Sequence, residues 1–462
     1  MTARGSAPLV PTLLTRAVGG AAALFQDIRR TGPPLPAGPV LVAANHVNAL
    51  LDPLVLFHVA GRPTRPLAKA PLFQHPMVGP FLKGLGGLPV YRRQDDPTQL
   101  DRNQDTFDAA IAALHRGEAI QIYPEGQSHS EPALTPLKTG AARIALLAEE
   151  RAGWALGLRI VPVGITYQRK HLFRGAAVVA VGAEIRVAEW RDRYATDPTG
   201  TVVALTDAVR AGLEAVTLNF VADDDRALVE VAEALHARAT GAAPWTDRPG
   251  LAERWPRLRA FSAGLAWLRA HDPERHARLT RRVDRYARLS ALLGAGEWGV
   301  PSRYDWSAAL AHTLRRLGAI LLLTPLALVG GVAWFLPYQF PRLAVRIGKP
   351  DEDGVASHKL AGAMLSFPLF LALWVFVGWT VGRAPWAAAF GLAAIVGGLA
   401  WIPWRARLRD LADDVRGFVR SAPRADSRAR LAALRAELAR EFDDVAARAS
   451  LVPPLPTERP TG

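Results

Sequence analysis

The sequence predicts an α/β fold, a sheet flanked by helices, followed by a helical region and C-terminal hydrophobic membrane segments. Three observations carry that expectation. Short apolar runs of strand length alternate with helical periodicity through the first 190 residues or so. An arginine-rich stretch of helical periodicity follows. Three long charge-free runs then appear, each near the roughly 20 residues needed to cross a bilayer core.

In chain order, Leu9 to Ile28 is moderately apolar and has no basic leader ahead of a hydrophobic run, so it reads as an interfacial helix rather than a secretory signal. Strands are predicted at Val40–Ala44, Pro66–Ala68, Leu88–Tyr91, Ala119–Tyr123, Arg159–Thr166 and Ala176–Val181. Helices are clearest at Thr98–His115 and Leu137–Glu150. Strands alternating with helices place a sheet under a helical cover. The expected organisation is an interfacial segment over 1–30, the α/β domain over 31–222, and a helical region over 223–316. Membrane segments over 317–404 and a charged helical tail over 405–462 complete it.

The apolar runs are Leu317–Leu336, Leu360–Gly382 and Ala384–Trp404. Only Arg383 separates the second from the third. Arg342, Arg346, Lys349 and Lys359 precede that pair, and Arg405, Arg407 and Arg409 follow it. Basic residues stay on the cytoplasmic side, so these two segments form an in-out-in hairpin. A third full crossing would put the α/β domain outside. Pro325, Gly330 and Gly331 are therefore expected to break the first run into a re-entrant or interfacial element.

The chain carries 56 basic and 42 acidic residues, a formal net charge of +14. That charge suits an anionic membrane face and anionic substrates. Nucleic acid is the usual rival partner, but no nucleic-acid motif appears. No cysteine is present, which excludes a thiol nucleophile and any disulfide. The arginine- and alanine-rich composition is of the kind a GC-rich bacterial genome encodes.

Chemistry concentrates in AANHVNALLDP, residues 43–53. His46 and Asp52 lie six apart, a spacing that separates their faces on one continuous helix. They meet only if His46 sits in a loop and the chain turns back. Pro53 suits the first position of a helix over Pro53–Val59 with Asp52 as its N-cap. A histidine with a carboxylate on its far ring nitrogen can take a proton from an attacking hydroxyl. The pair alone also fits a loop histidine beside a helix cap.

Three further stretches follow: GGLPVYRR (Gly86–Arg93), YPEGQSHS (Tyr123–Ser130) and IVPVGITY (Ile160–Tyr167). With the first, these four ordered blocks resemble the glycerolipid acyltransferase family over roughly residues 35–190. His46 and Asp52 match its catalytic block, Gly86 and Arg92 its second, Pro124, Glu125 and Gly126 its third, and Val161 to Val163 its fourth. Two departures stand out. Five residues separate His46 from Asp52 where the common form has four, and Gln127, Ser128 and His129 stand where Thr-Arg-Ser is usual. Both are similar to the glycerol-3-phosphate and dihydroxyacetone-phosphate acyltransferase branch.

The resemblance implies an acyltransferase-type sheet. It also implies transfer of a fatty acyl chain from a thioester to glycerol 3-phosphate or dihydroxyacetone phosphate at a membrane, with 1-acylglycerol-3-phosphate or another lysophospholipid as the alternative acceptor. A catalytically silent lipid-binding protein on the same fold is the alternative of another class. His46 is the expected base and Asp52 its orienting partner. Arg92 is the expected phosphate ligand, because a phosphate dianion needs charge-assisted donors. Arg93, Lys69 and Lys138 are further cations in reach, and backbone amides around Gly126 can face an anion. Glu125 is expected to bind or position substrate. His129 is either a second acid/base group or a loop histidine. The donor would be acyl-CoA or acyl carrier protein, with no cofactor and no metal. The expected location is the cell membrane, with the α/β domain on the cytoplasmic side.

Overall fold

A computed structural model describes residues 9–75, 78–92, 101–168, 173–220, 223–239, 250–292, 306–349, 354–421 and 425–449. The chain divides into two compact units. The first is Met1–Asn219 with Gly250–Glu253 and Ala344–Ala361; the second is Phe220–Pro249, Arg254–Leu343 and Gly362–Gly462.

The first unit is built on an eight-stranded sheet among the described residues. Its strands are β1 (Gln26–Thr31), β2 (Val40–Ala44), β3 (Thr64–Lys69), β4 (Leu88–Val90), β5 (Ala119–Ile122), β6 (Arg159–Tyr167), β7 (Gly175–Val181) and β8 (Ile185–Arg186). The order is β1-β7-β6-β2-β5-β3-β4, with β8 beside β6. Strands β6, β2, β5, β3 and β4 run parallel, while β7 and β8 run antiparallel to β6. Every residue of β2 and β5 is buried, as expected of central parallel strands covered on both faces. One cover is α4 (Asn103–His115), α5 (Gly140–Arg151) and α7 (Pro198–Glu214), whose Leu114, Ile144, Leu146, Leu205 and Leu213 pack on Leu41 and Ile120. The other is α1 (Leu9–Phe25) and α2 (Leu51–Val59), which bury Val18, Ala22, Leu51 and Leu54 against Val40, Val42 and Val161.

The six sequence-predicted strands are present, and the sheet has an edge strand that was not predicted. β1 pairs in parallel with β7, so the sheet begins at Gln26, ahead of the boundary expected at residue 31. Arg29 and Arg30 are exposed on it, and an edge strand tolerates such side chains. The reading of Leu9–Ile28 as one interfacial helix is corrected accordingly. Its helix ends at Phe25, and one face is taken up by α2. A side chain on Gly19 would meet the His58 backbone nitrogen at 2.9 Å. Leu13 and Leu24 stay exposed on the opposite face.

The second unit is helical. It contains α8 (Asp223–Ala239), α9 (Leu251–His271, entered from the first unit), α10 (Pro273–Leu292), α11 (Trp306–Trp334) and the start of α12 (Phe340–Gly348). It also holds most of α13 (Val355–Ser421) and all of α14 (Ala425–Ala449). Buried Glu233 on α8 accepts from Arg254 and Arg257 of α9. The charged tail packs back on the bundle: Arg275 of α10 pairs with Asp444 at 2.6 Å, and Arg282 pairs with Glu437 and Glu441. The Pro-rich end, 450–462, lies outside the described residues.

Two helical segments, Thr313–Trp334 and Ser357–Asp413, are long and apolar enough to cross a membrane. Their leucines face outward; Leu322 is 80% exposed and Phe376 is 63% exposed, which a soluble core helix would not show. The second segment joins two of the expected runs. At Gly382 and Arg383 the backbone leaves the helix, Arg383 taking a φ of 65°, and the chain reverses. Trp374 then faces Phe390 at 6.3 Å between ring centroids.

The break expected at Pro325, Gly330 and Gly331 is absent, because α11 runs through all three. A side chain on Gly330 would lie 2.1 Å from the Gly397 carbonyl oxygen, so the glycine serves a close helix crossing. The helix ends at Trp334 instead, followed by a 3-10 turn at Pro337–Gln339 and α12.

Candidate active site

The site lies at the carboxyl ends of the parallel strands, where open α/β sheets bind ligands. From β2 the chain enters the loop Asn45–Leu50. Asn45 fastens it: its buried side-chain amide donates to the Ile165 carbonyl at 3.1 Å and accepts from the Ile165 N–H at 2.7 Å. The amide thereby continues the β2–β6 ladder one residue beyond the strand.

His46 follows. Its Nδ1 lies 2.9 Å from Asp52 Oδ2, and its ring stacks on Tyr123 with centroids 4.2 Å apart. Its backbone is held from both sides by the third block, the N–H by Glu125 at 2.9 Å and the carbonyl by the His129 N–H at 3.0 Å. With Nδ1 donating to the carboxylate, the lone pair resides on Nε2. The histidine side chain is 17% exposed beside a fully buried Asp52.

Asp52 collects four donors. Oδ2 accepts from His46 and from the Val47 and Asn48 N–H groups, each at 2.8 Å, while Oδ1 accepts from the Tyr167 hydroxyl at 2.8 Å. The expected N-cap is corrected here. The helix starts at Leu51, one residue ahead of Asp52, and its cap position is Leu50. Pro53 disfavours helical geometry at Asp52. The four donors outweigh that preference, because the carboxylate must turn backward to reach them. Burial, with the Asp52 charge adding to it, holds the Tyr167 hydroxyl well above its usual pKa. Tyr167 therefore stays a donor at any physiological pH. Tyr123 is raised for the same two reasons.

Glu125 is turned inward. Oε1 takes the His46 N–H; Oε2 takes the Thr135 N–H at 2.9 Å, the Thr135 hydroxyl at 3.0 Å and His129 Nε2. Burial pushes its pKa up, but the bonds from His129, Thr135 and His46 outweigh it and the carboxyl ends below the usual range. His129 Nδ1 accepts from the Glu131 N–H at 3.2 Å, which leaves Nε2 as the donor to Glu125. Glu125 thus clamps the His46 loop to the third block.

Arg92, Gly126 and Lys138 come together. Arg92 stands just past β4 and donates from Nη1 to the Gly126 carbonyl at 3.1 Å. Asn103 fixes the preceding residue by bonding both the N–H and the carbonyl of Tyr91. Gly126 has a φ of 76°, and a side chain there would lie 2.7 Å from Lys138 Nζ. The Lys138 N–H donates to the Pro124 carbonyl at 2.7 Å, which folds the loop back over the turn. Two cations therefore converge one residue beyond the carboxylate that holds His46.

Gly86 does not belong to this site. It precedes β4, at the opposite end of the strand from Arg92. Its φ of 68° ends α3 (Val78–Gly84), and its carbonyl accepts from Arg65. Its left-handed φ favours glycine, and a side chain there would also displace the Arg65 guanidinium, whose Nη1 would lie 2.7 Å away. Lys69 is exposed at the end of β3; Arg93 lies outside the described residues. Among the described residues no cluster of three or more His, Cys, Asp or Glu could hold a metal.

Tyr167, Tyr123, Asn45 and Thr135 were not singled out by sequence reasoning. Tyr167 and Tyr123 do lie inside the quoted blocks, at strand ends where a polar ring has to find a partner.

Fold and site together define a class, a His–Asp acyltransferase domain at the carboxyl edge of an α/β sheet. The model of the Acyltransferase family matches residues 27–166, and the curated relatives of this stretch are glycerolipid acyltransferases. Glycerol-3-phosphate O-acyltransferase 2 of Saccharomyces cerevisiae is 33% identical over 135 residues, covering 29% of this chain and 18% of the yeast protein. The 1-acyl-sn-glycerol-3-phosphate acyltransferase of Bacillus subtilis is 35% identical over 83 residues, covering 18% of this chain and 37% of that protein. Among solved structures, the 1-acyl-sn-glycerophosphate acyltransferase PlsC of Thermotoga maritima is 16% identical. The match covers 43% of this chain and 77% of that one, with a TM-score of 0.33. The chain spans less than a fifth of the yeast relative and little more than a third of the Bacillus one.

Proposed function

We propose that the protein transfers a fatty acyl group from a thioester, acyl-CoA or acyl carrier protein, to the hydroxyl of glycerol 3-phosphate at the cytoplasmic face of a membrane. The observation that carries this reading is the pairing of His46 with a buried, four-times hydrogen-bonded Asp52, next to Arg92 and Lys138.

In the reaction, His46 Nε2 takes the hydroxyl proton as the oxygen attacks the thioester carbonyl. Asp52 stabilises the imidazolium that forms. The tetrahedral intermediate collapses, the C–S bond breaks, and the imidazolium returns its proton to the departing thiolate. The products are an ester and a free thiol. Arg92 and Lys138 hold the acceptor's phosphate through charge-assisted bonds, which fixes its hydroxyl near His46. Glu125 and His129 position His46 through its main chain. The Bacillus likeness supports a monoacylated acceptor as a second reading.

The test offers labelled acyl-CoA and labelled acyl carrier protein to membranes holding the full chain, with glycerol 3-phosphate or its monoacyl ester. Monoacylated product from glycerol 3-phosphate, lost in His46→Ala, is the expected result. Product from the monoacyl ester alone would move the protein to the next acylation. Absence of product with every donor and acceptor would overturn the enzymatic reading.

A further inference from the structure

The geometry points to a re-entrant membrane element. The segment from α11 through the 3-10 turn to α12 enters one leaflet, stops about halfway and returns to the face it left. This rests on the membrane reading above and adds the topology and the surface that meets lipid.

The spanning hairpin of α13 provides a ruler. Its far end is the reversal at Gly382–Arg383. Its near end is marked by Trp404, after which Arg405, Arg407 and Arg409 begin. Trp404 Nε1 donates to Thr324 Oγ1 at 3.0 Å, so Thr324 of α11 lies level with the near end. Trp334, the last residue of α11, donates to the Ala394 carbonyl at 2.8 Å and stacks on Phe367 at 5.0 Å. At about 1.5 Å per helical residue, Ala394 lies roughly 16 Å and Phe367 roughly 22 Å short of the reversal. Trp374, bonded to the Ala333 carbonyl at 3.1 Å, lies roughly 12 Å short of it by the same measure. The stretch from Thr324 to Trp334 is only about 15 Å long, half of a hydrocarbon core about 30 Å thick.

The chain then turns back. The Pro337 carbonyl accepts from Ser366 at 3.1 Å, and a side chain on Gly362 would meet Pro341 at 3.1 Å. From Trp334 to Pro341 the contact on α13 passes from Phe367 to Ser366 and Gly362, away from the reversal, while the Phe340 ring reaches back to Phe370 at 5.9 Å. The returning α12 is two-faced. Phe340, Leu343 and Ile347 lie along one exposed side, Ile347 at 74%, while Arg342 and Arg346 share another. Such a helix lies in an interface with its apolar face in the acyl boundary.

The occupant is the lipid of a single leaflet. Leu328, Val332, Phe335 and Leu336 are exposed along the insertion, with no charge from Leu317 to Pro341. Charge agrees with a return rather than a crossing. Arg315, Arg316, Arg342, Arg346, Lys349 and Lys359 flank the insertion, and Arg405, Arg407 and Arg409 follow the hairpin, leaving Arg383 alone at the reversal. Three crossings would divide those cations between both faces; a return keeps them on one, which is the cytoplasmic face.

The chain has no cysteine, so single-cysteine variants report without background. Phe335→Cys probes the tip, with Leu336→Cys as a second tip variant should the first fail to accumulate. Arg383→Cys probes the reversal, and Lys349→Cys the residue after the return. Each full-length variant is treated with a membrane-impermeant maleimide in right-side-out and in inverted vesicles, then after detergent. Arg383→Cys is expected to react only in right-side-out vesicles and Lys349→Cys only in inverted ones. The tip variants are expected to react in neither until detergent is added. A tip that reacts in right-side-out vesicles is a third crossing, and one that reacts in inverted vesicles is an aqueous loop; either overturns the proposal. Recovery of every variant in the soluble fraction, all reactive, would instead sink the membrane reading beneath it.

Discussion

At the residue scale the chemistry depends on how many donors converge on Asp52. A fully buried carboxylate with four hydrogen bonds is fixed in place, and it fixes the plane of His46 in turn. Tyr167→Phe removes one donor and leaves the others. It is expected to lower kcat about tenfold, the rate equivalent of a hydrogen bond worth about 1.4 kcal/mol, with the acceptor KM little changed. An acceptor saturation curve checks it, and a KM effect without a kcat effect would count against a role through His46. Glu125 gives a pH prediction. Its carboxyl is held below the usual range, so its stabilisation is complete above the ordinary glutamate pKa of about 4.3 and is lost as pH falls through the lower folded value. Glu125→Gln should cost about 2 kcal/mol at pH 7 and progressively less on acidification below pH 4, as denaturant midpoints at each pH would show. A cost that does not change with pH would mean that the charge of Glu125 is immaterial.

At the element scale the site is a set of strand ends and the turns that leave them. Gly126 sits in one of these turns with a φ of 76°. Gly126→Ala forces a side chain into a left-handed position and against Lys138, at a cost of about 1–2 kcal/mol. Because Lys138 must move, the acceptor KM should rise, and titration of activity with acceptor reads it. An unchanged KM would remove Lys138 from the phosphate site.

Legibility followed the same line. The central strands were readable because burial on both faces leaves an unbroken apolar run. β1 was not, since Gln-Asp-Ile-Arg-Arg-Thr is an edge strand paired on one side, with exposed arginines and no alternation. The approach of His46 to Asp52 could be argued from six residues and a proline. The Tyr167 bond could not, because the partners are 115 positions apart and only the β2–β6 register joins them. Gly86 was misplaced because glycine signals a turn without saying at which end of a strand the turn lies.

At the scale of the whole molecule the chain combines a sheet-based unit with a helical unit whose apolar segments have the length and composition to cross a bilayer. Gly330 and Gly397 mark where α11 and α13 touch. Gly330→Leu should separate them, lowering the thermal midpoint of detergent-solubilised protein by several degrees, because backbone contact at a small-residue crossing has no substitute. An unaltered midpoint would mean that the crossing contributes nothing to stability. The apolar runs themselves were plain in the sequence. A re-entrant or interfacial first run was expected from its charge flanks; what could not be read was that its helix continues to Trp334, since Pro325 and the paired glycines looked like breakers and are accommodated by a close neighbour.

The central claim is that His46 acts as the base while Arg92 holds the acceptor. The measurement that tests it most directly is the initial rate of acyl transfer against acceptor concentration, for wild type, His46→Ala and Arg92→Ala side by side. Replacing His46 leaves its main-chain bonds to Glu125 and His129 intact. The account predicts a loss in kcat of about 10²–10⁴ for His46→Ala, with membrane association retained. For Arg92→Ala it predicts a raised acceptor KM at nearly constant kcat. Wild-type kcat in His46→Ala, or a kcat loss in Arg92→Ala with KM unmoved, would contradict the division of roles drawn from the site.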